Sequence, residues 1–246
     1  MEFLKELSLP YGKIKFGVAG KQTLDSLKEK YPSYPKTSSL WKEYTKEWIG
    51  KDFDSSKIQG FTLNQVHGDS IHSVTYSETN QNSEKILEGD ALYTNSSDLM
   101  LVVRTADCVP VFLYSNKRPF IAIIHSGWKG TALGITEQVL EKTLELGFDL
   151  EELQLEIGPY IQKSDYEVGD DVAKYFLSLG EDVCQGKEDG KFLLDVGKAI
   201  EVRVGKRFGN LLKIKNDHTN VFRSPLYFSH RAKEEGRNLN FILWES

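Results

Sequence analysis

Two cysteines in 246 residues, Cys108 and Cys184, are too few for a disulfide framework. A reduced, cytoplasmic setting is therefore the simplest expectation. Five histidines with no His-x-His pair cannot assemble a multinuclear copper centre, which draws on many imidazoles. No apolar run approaches the ~20 residues that span a bilayer, so no membrane partner is expected. The opening MEFLKELSLPYGK has neither an apolar core nor a small-residue cleavage site, and reads as no signal peptide. Basic stripes are missing too. With a net charge of −5 and a pI near 5.6, nucleic acid is not an expected partner. The short basic patch at 213–215 reads as a solvated face. No repeat, low-complexity run or Pro/Gly/Ser linker divides the chain, which predicts one domain over residues 1–246.

The 39% hydrophobic content supports a real core. Residues 13–18 alternate and read as a first strand. A short helix follows over 24–30, behind Thr23. Pro32 and Pro35 force a loop, and Ser39 precedes a helix over 40–49 that carries Trp41, Tyr44 and Trp48 and stops at Gly50. Residues 61–66 predict a strand delivering His67, 70–76 an extended segment, and 79–84 a surface loop. The central stretch, 99–130, holds three apolar runs, at 99–103, 109–114 and 120–124. A helix over 131–146 then ends at Gly147, and a strand follows at 153–157. A short helix over 170–179 has Val172, Tyr175, Phe176 and Leu179 on its apolar side. Residues 184–190 form a loop or hairpin in which Cys184 is a surface thiol, and 192–194 is a short strand. Asp195 caps a helix reaching Phe208, with a strand at 211–214. Segments 226–231 and 238–244 read as extended, the second as a closing strand. Strands and helices interleave, and short connections such as that from Tyr114 to Phe120 predict antiparallel pairs within a mixed sheet.

His67, Cys108 and His125 each follow a strand-like run, beside residues that can turn the chain. Two imidazoles and a thiolate suit zinc, and three protein ligands leave a fourth position open. The same residues also suit a dyad in which Cys108 is the nucleophile and His125 its base, or a purely structural role. Asp107, if it lies in a strand, points away from Cys108 and reaches the site only if the chain turns there. Lys129, where a helix begins after Gly127-Trp128, is a candidate anion contact. Arg231 and Arg237 flank a short acidic loop, and either could reach the pocket. His72 reads as structural or surface, and His218 and His230 as exposed.

Six motifs occur in order from Gln65 to the C-terminus: Asn64-Gln65-Val66-His67-Gly68, Gly89-Asp90-Ala91-Leu92, Thr105-Ala106-Asp107-Cys108-Val109-Pro110, His125-Ser126-Gly127-Trp128-Lys129-Gly130, Ile157-Gly158-Pro159 and Phe228-Ser229-His230-Arg231. Together they resemble the laccase-domain polyphenol oxidoreductase family, also described as purine nucleoside phosphorylases and, in bacteria, as a peptidoglycan editing factor. The resemblance implies that His67, Cys108 and His125 bind a catalytic zinc, with Cys108 and His125 at the reacting centre. It implies an α+β fold of four layers, α/β/β/α, with two mixed sheets packed between helices. Its expected partners are purine nucleosides and phosphate. The implied activities are phosphorolysis of adenosine, inosine and 5′-methylthioadenosine to base and ribose 1-phosphate, and adenosine deamination. Phosphate would meet Lys129 or Arg231. Three alternatives use the same residues: a Cys/His amide hydrolase or peptidoglycan-precursor editing factor, a polyphenol oxidoreductase with a single copper, and a non-catalytic metal clip. The chain departs from the family pattern at three places. No glycine-rich segment occurs around 18–26, His218 stands where the family has cysteine, and Lys129 replaces arginine, keeping the charge but losing bidentate geometry.

Overall fold

The central strands are near-continuous apolar runs, apolar on both faces, so both sides of each sheet must be covered. The computed structural model, which describes residues 1–35, 38–54, 57–75 and 86–246, covers them with a second sheet on one side and helices on the other. The first sheet holds β1 (Phe3–Leu9), β2 (Gly12–Ala19), β3 (Gln59–Thr62), β6 (Leu99–Thr105) and β14 (Asn238–Glu245), in the order β1-β2-β14-β6-β3. Its strands pair antiparallel except β3 with β6. The second holds β4 (Ile71–Ser73), β5 (Ala91–Thr94), β7 (Val109–Ser115), β8 (Ile121–Ser126), β9 (Leu153–Ile157) and β13 (Lys213–Asn216), in the order β13-β9-β7-β8-β5-β4. Parallel pairs occur only at its two edges. A small sheet of β10 (Glu167–Val168), β11 (Cys184–Gly186) and β12 (Phe192–Leu194) stands beside them.

Side-chain parity assigns the layers. Phe16, Leu101, Val103 and Ile242 of the first sheet face Phe112, Tyr114, Ile121 and Ile123 of the second. The odd-even alternation turns Met100, Val102, Phe241 and Leu243 outward, onto Trp41, Tyr44 and Trp48 of α2 (Ser38–Asp52) and Leu24 of α1 (Lys21–Asp25). Val111, Leu113, Ala122 and Ile124 turn the other way. They meet Ile135, Val139 and Leu140 of one helix (Ile135–Glu145) and Ala199, Ile200 and Val204 of another (Val196–Phe208). Helix, sheet, sheet and helix thus follow one another, the α+β arrangement of four layers. No helix among the described residues is long and apolar enough to cross a membrane.

Several local expectations are corrected. The helix over 131–146 is two, α3 (Trp128–Leu133) and α4 (Ile135–Glu145), because Gly134 takes a left-handed φ of 83° between them. Leu133 is exposed as a result. Residues 170–179 hold only α5 (Asp170–Ala173) and a single 3-10 turn, so Tyr175 faces solvent. The helix at Val196–Phe208, α6, is capped by Asp195, whose carboxylate accepts from the Lys198 N–H. Helix α1 starts earlier than expected, at Lys21, because Thr23 gives its N–H and hydroxyl to Glu2 rather than capping. Helix α2 runs through both Ser39 and Gly50 to Asp52, whose carboxylate accepts from Trp48 Nε1. Strand β3 stops at Thr62, leaving 63–68 as a loop. Cys184 is buried in the core beside α6, not a surface thiol. The segment 226–231 forms turns instead of a strand, for a reason that lies in the site below. The loop expected at 79–84 lies outside the described residues.

Phe16 is fully buried between the sheets, with ring centroids 5.1 Å from Phe112 and 5.6 Å from Tyr114. Phe16→Ala is expected to cost about 3–5 kcal/mol of stability, read from urea denaturation midpoints.

Candidate metal centre

The site forms where the chain passes from one sheet to the other. Strand β6 ends at Thr105 in the first sheet, and β7 begins at Val109 in the second. Asp107 makes the crossing in a left-handed conformation, φ 88°. That orientation is uncommon for a residue with a side chain. Antiparallel register pairs Val109 with Ser126 and Pro110 with His125, which brings Cys108 level with Gly127. A Cβ on Gly127 would lie 3.1 Å from Cys108 Sγ and 3.2 Å from His67 Cδ2, so glycine leaves the room the three side chains need.

His67 arrives from the loop after β3, also left-handed, at φ 56°. Gln65 fixes that loop by mimicking a strand: its side-chain amide donates to the Arg104 carbonyl and accepts from the Arg104 N–H, both at 2.8 Å. The candidate ligand atoms of His67, Cys108 and His125 all lie within 4.8 Å of one another. The two imidazoles stand edge to face, with centroids 4.8 Å apart. His125 is buried and His67 exposed, so the group opens on the His67 side.

Asp90 was not singled out by sequence reasoning, yet it holds the group together. It is fully buried at the start of β5, beside His125 in the sheet, and its carbonyl accepts the His125 N–H at 2.7 Å. Its carboxylate takes His125 Nδ1 at 2.8 Å, and also the backbone N–H groups of His67 (3.1 Å) and Gly68 (2.7 Å). Burial pushes the Asp90 carboxyl up, but these hydrogen bonds outweigh it and hold the group below its ordinary value. With Nδ1 engaged, His125 has only Nε2 to offer a ligand, the usual carboxylate–histidine arrangement behind a metal. The signal in the sequence was a carboxylate next to an apolar strand, in Gly89-Asp90-Ala91-Leu92.

Cys108 and His125 are strongly coupled. Burial raises the Cys108 thiol, but the His125 charge and hydrogen bonds from His125 and His67 bring it down to about 6. Burial lowers His125, while the Cys108 thiolate and Asp90 overcome it and raise the imidazole to about 9. Two nitrogens and a thiolate within reach of one point are a donor set that fits a metal ion, and zinc in particular by its softness.

Asp107 does not point away. The turn at its left-handed backbone lets its carboxylate accept the Ser229 hydroxyl at 2.6 Å and the Arg231 N–H at 2.7 Å. That capture curls 226–231 into turns instead of a strand. Arg231 then lies over the Tyr166 ring, at 5.1 Å, and donates to the Glu167 carbonyl. Burial, and then the nearby Cys108 charge, raise the Tyr166 hydroxyl to about 12. Lys129 is exposed on the first turn of α3. His72 Nε2 bonds the Glu88 carbonyl at 2.7 Å, and His218 and His230 are exposed.

The family described as multi-copper polyphenol oxidoreductase laccase matches residues 46–245. The chain belongs to that family. A Clostridium acetobutylicum protein named as a purine nucleoside phosphorylase is 34% identical over 78% of this chain and 80% of its own length. Staphylococcus aureus proteins of the same name are 37% identical over 36% of this chain, and the match spans about a third of their length (34%). The crystal structure of the hypothetical protein YfiH from Bacillus licheniformis shares the fold, with a TM-score of 0.75 at 23% identity over 95% of this chain and 92% of that one.

Asp90→Asn is expected to weaken metal affinity by about 10–100-fold, measured by competition with a chromogenic chelator. In metal-free protein, Cys108 is expected to react with iodoacetamide as pH rises through about 6, where the thiolate forms, rather than in the ordinary thiol range near ~8.5. Cys184, whose thiol burial raises, serves as the unreactive control in peptide mapping.

Proposed function

We propose that this protein is a zinc-dependent purine nucleoside enzyme that cleaves adenosine, inosine and 5′-methylthioadenosine by phosphorolysis, and deaminates adenosine at the same site. The observation that carries the reading is the convergence of His67, Cys108 and His125 with Asp90 behind His125. The name of the Clostridium acetobutylicum relative supports the substrate class. The copper chemistry in the family description is not adopted, because five histidines without a His-x-His pair cannot build a multinuclear centre.

Zinc, which His67, Cys108 and His125 would hold, would supply Lewis acidity beside the substrate. The chain's own residues do the rest. Asp90 keeps His125 Nδ1 occupied, so the ring neither rotates nor offers its other nitrogen. Its bonds from His67 N–H and Gly68 N–H anchor the His67 loop beside the buried pair. Asp107 fixes the turn that carries Arg231. Arg231 and the exposed Lys129 are the cations assigned to phosphate, which would attack the anomeric carbon of the ribose as the base leaves.

A second reading rests on the Cys108–His125 coupling. Asp90, His125 and Cys108 also form the orienter, base and nucleophile of a thiol hydrolase acting on an amide, such as a peptidoglycan precursor. Metal content separates the readings. Elemental analysis of the purified protein is expected to give zinc rather than copper. The zinc-loaded protein, given adenosine and phosphate, is expected to yield adenine, ribose 1-phosphate and inosine by chromatography, and Cys108→Ala to cut product formation by more than about a hundredfold. No product in either variant overturns the nucleoside reading. An amidase activity that resists chelators and is blocked by alkylation establishes the thiol hydrolase in its place.

A further inference from the structure

The chain leaves the first sheet just before His67, and one side chain lets it do so. Strand β3 pairs in parallel with β6, from Gln59 opposite Leu99 to Thr62 opposite Val102. Carried two residues further, that register would bring Asn64 to Arg104. Instead the Asn64 main chain turns to the segment that enters β5. Its N–H donates to the Leu87 carbonyl at 2.9 Å, and its carbonyl accepts the Gly89 N–H at 3.1 Å. Asn64 and Glu88 form a parallel bridge, and the Asn64 side-chain amide donates to the Glu88 carboxylate at 3.2 Å.

That departure would strip the Arg104 main chain of its partner on the β3 side, and unpaired main-chain groups inside a protein are costly. Gln65 takes the open place. Its amide donates to the Arg104 carbonyl and accepts the Arg104 N–H, both at 2.8 Å. The β3–β6 ladder thus continues through a side chain while the backbone crosses to the second sheet. Among the described residues, no other hydrogen bond ties residues 64–68 to the first sheet. The loop is therefore held from two sides. Asp90 binds the N–H groups of His67 and Gly68 from the second sheet, and Gln65 binds β6 of the first. His67 lies two residues beyond Gln65, left-handed at φ 56°, with its ring centroid 4.8 Å from that of His125.

We infer that Gln65 is a positioning residue of the metal centre: by standing in for a strand residue opposite Arg104, its amide sets where His67 meets Cys108 and His125. This assignment rests on the reading of those three residues as metal ligands. The residue type matters because the amide alone offers a donor and an acceptor at that reach. Asparagine is one methylene shorter. Glutamate keeps an acceptor for the Arg104 N–H but turns its second oxygen towards the Arg104 carbonyl. Methionine has a similar length and neither hydrogen-bonding group of the amide.

Three measurements on the full chain test the role. Zinc affinity is read by competition with a chelator, and ligand geometry by the visible spectrum of the cobalt(II)-loaded protein. The place of His67 is read in metal-free protein, from the nuclear Overhauser cross-peak between the His67 and His125 rings. The parent is expected to bind zinc and to show the cross-peak. Gln65→Met is expected to bind zinc about tenfold or more weakly, to alter the cobalt bands and to lose the cross-peak. Gln65→Glu, which keeps one of the two bonds, is expected to fall between. Phe16→Leu, in the core between the sheets, is expected to lower the melting temperature and leave zinc affinity unchanged. The role is overturned if Gln65→Met binds zinc as tightly as the parent or keeps the cross-peak, or if Phe16→Leu weakens zinc equally. A parent that binds neither zinc nor cobalt refutes the metal reading instead, and the cross-peak then decides alone. Its loss in Gln65→Met sustains the positioning of His67, whereas its retention there, or its absence from the parent, overturns it. If Gln65→Met fails to fold by circular dichroism, Gln65→Glu decides by the same criteria.

Discussion

One buried carboxylate sets the geometry of the centre. Asp90 is fully enclosed, and removing such a charge from water is tolerated only when hydrogen bonds replace the lost solvent. Here the replacements are His125 Nδ1 and the N–H groups of His67 and Gly68, two of them belonging to the very residues that meet Cys108. The requirement to satisfy Asp90 therefore brings the His67 loop and the His125 ring to one place. The same bonds hold Asp90 ionised, and its negative charge in turn favours the protonated His125 that lowers the Cys108 thiol. Each group owes its state to its neighbours, and binding of a metal would exchange the imidazolium proton for the ion.

Architecture decides where this happens. Two sheets stacked face to face leave a seam at their ends, and the seam is crossed by the tight link from β6 to β7. Cys108 sits on that link. Two residues in left-handed backbone conformations stand beside it: His67 is one ligand candidate, and Asp107 precedes another. Such conformations persist where surrounding contacts over-determine them, and here the contacts are identifiable. Asp90 holds the first, while Ser229 and Arg231 hold the second. The turn that Asp107 captures then seats the Arg231 guanidinium over the Tyr166 ring.

Charge is distributed unevenly over the first sheet. On its inter-sheet face, polar groups between the layers find partners, as Tyr11 does at the Ser115 carbonyl and Lys5 at Glu156. On its α2 face, the buried Nη1 of Arg104 has no hydrogen-bond partner, while Nη2 donates to the Leu63 carbonyl. Strand β6 serves both faces, because its successive residues point alternately into the two layers, and it leads to the candidate metal centre at its end.

Much of the fold was legible in the chain. The apolar runs at 99–103, 109–114 and 120–124 mark buried strands, and the position of Cys108 and His125 at the ends of such runs marks them as candidates. The family resemblance supplied the four layers and favoured zinc ligation over the other roles open to His67, Cys108 and His125. The misread segments failed for a common reason. The break at Gly134, the turns at 226–231 and the enclosure of Cys184 each depend on a backbone angle or a neighbour that lies outside the local window. By itself, the sequence determined which residues could ligate a metal, which strands would be two-faced, and that a multinuclear copper centre was impossible. Only the tertiary structure decided that Asp90 would bind His67 and His125 into one unit, and that Asp107 would turn back to hold Arg231. Those bonds join residues from 23 to 124 positions apart, and no local preference encodes a contact made by packing two sheets together.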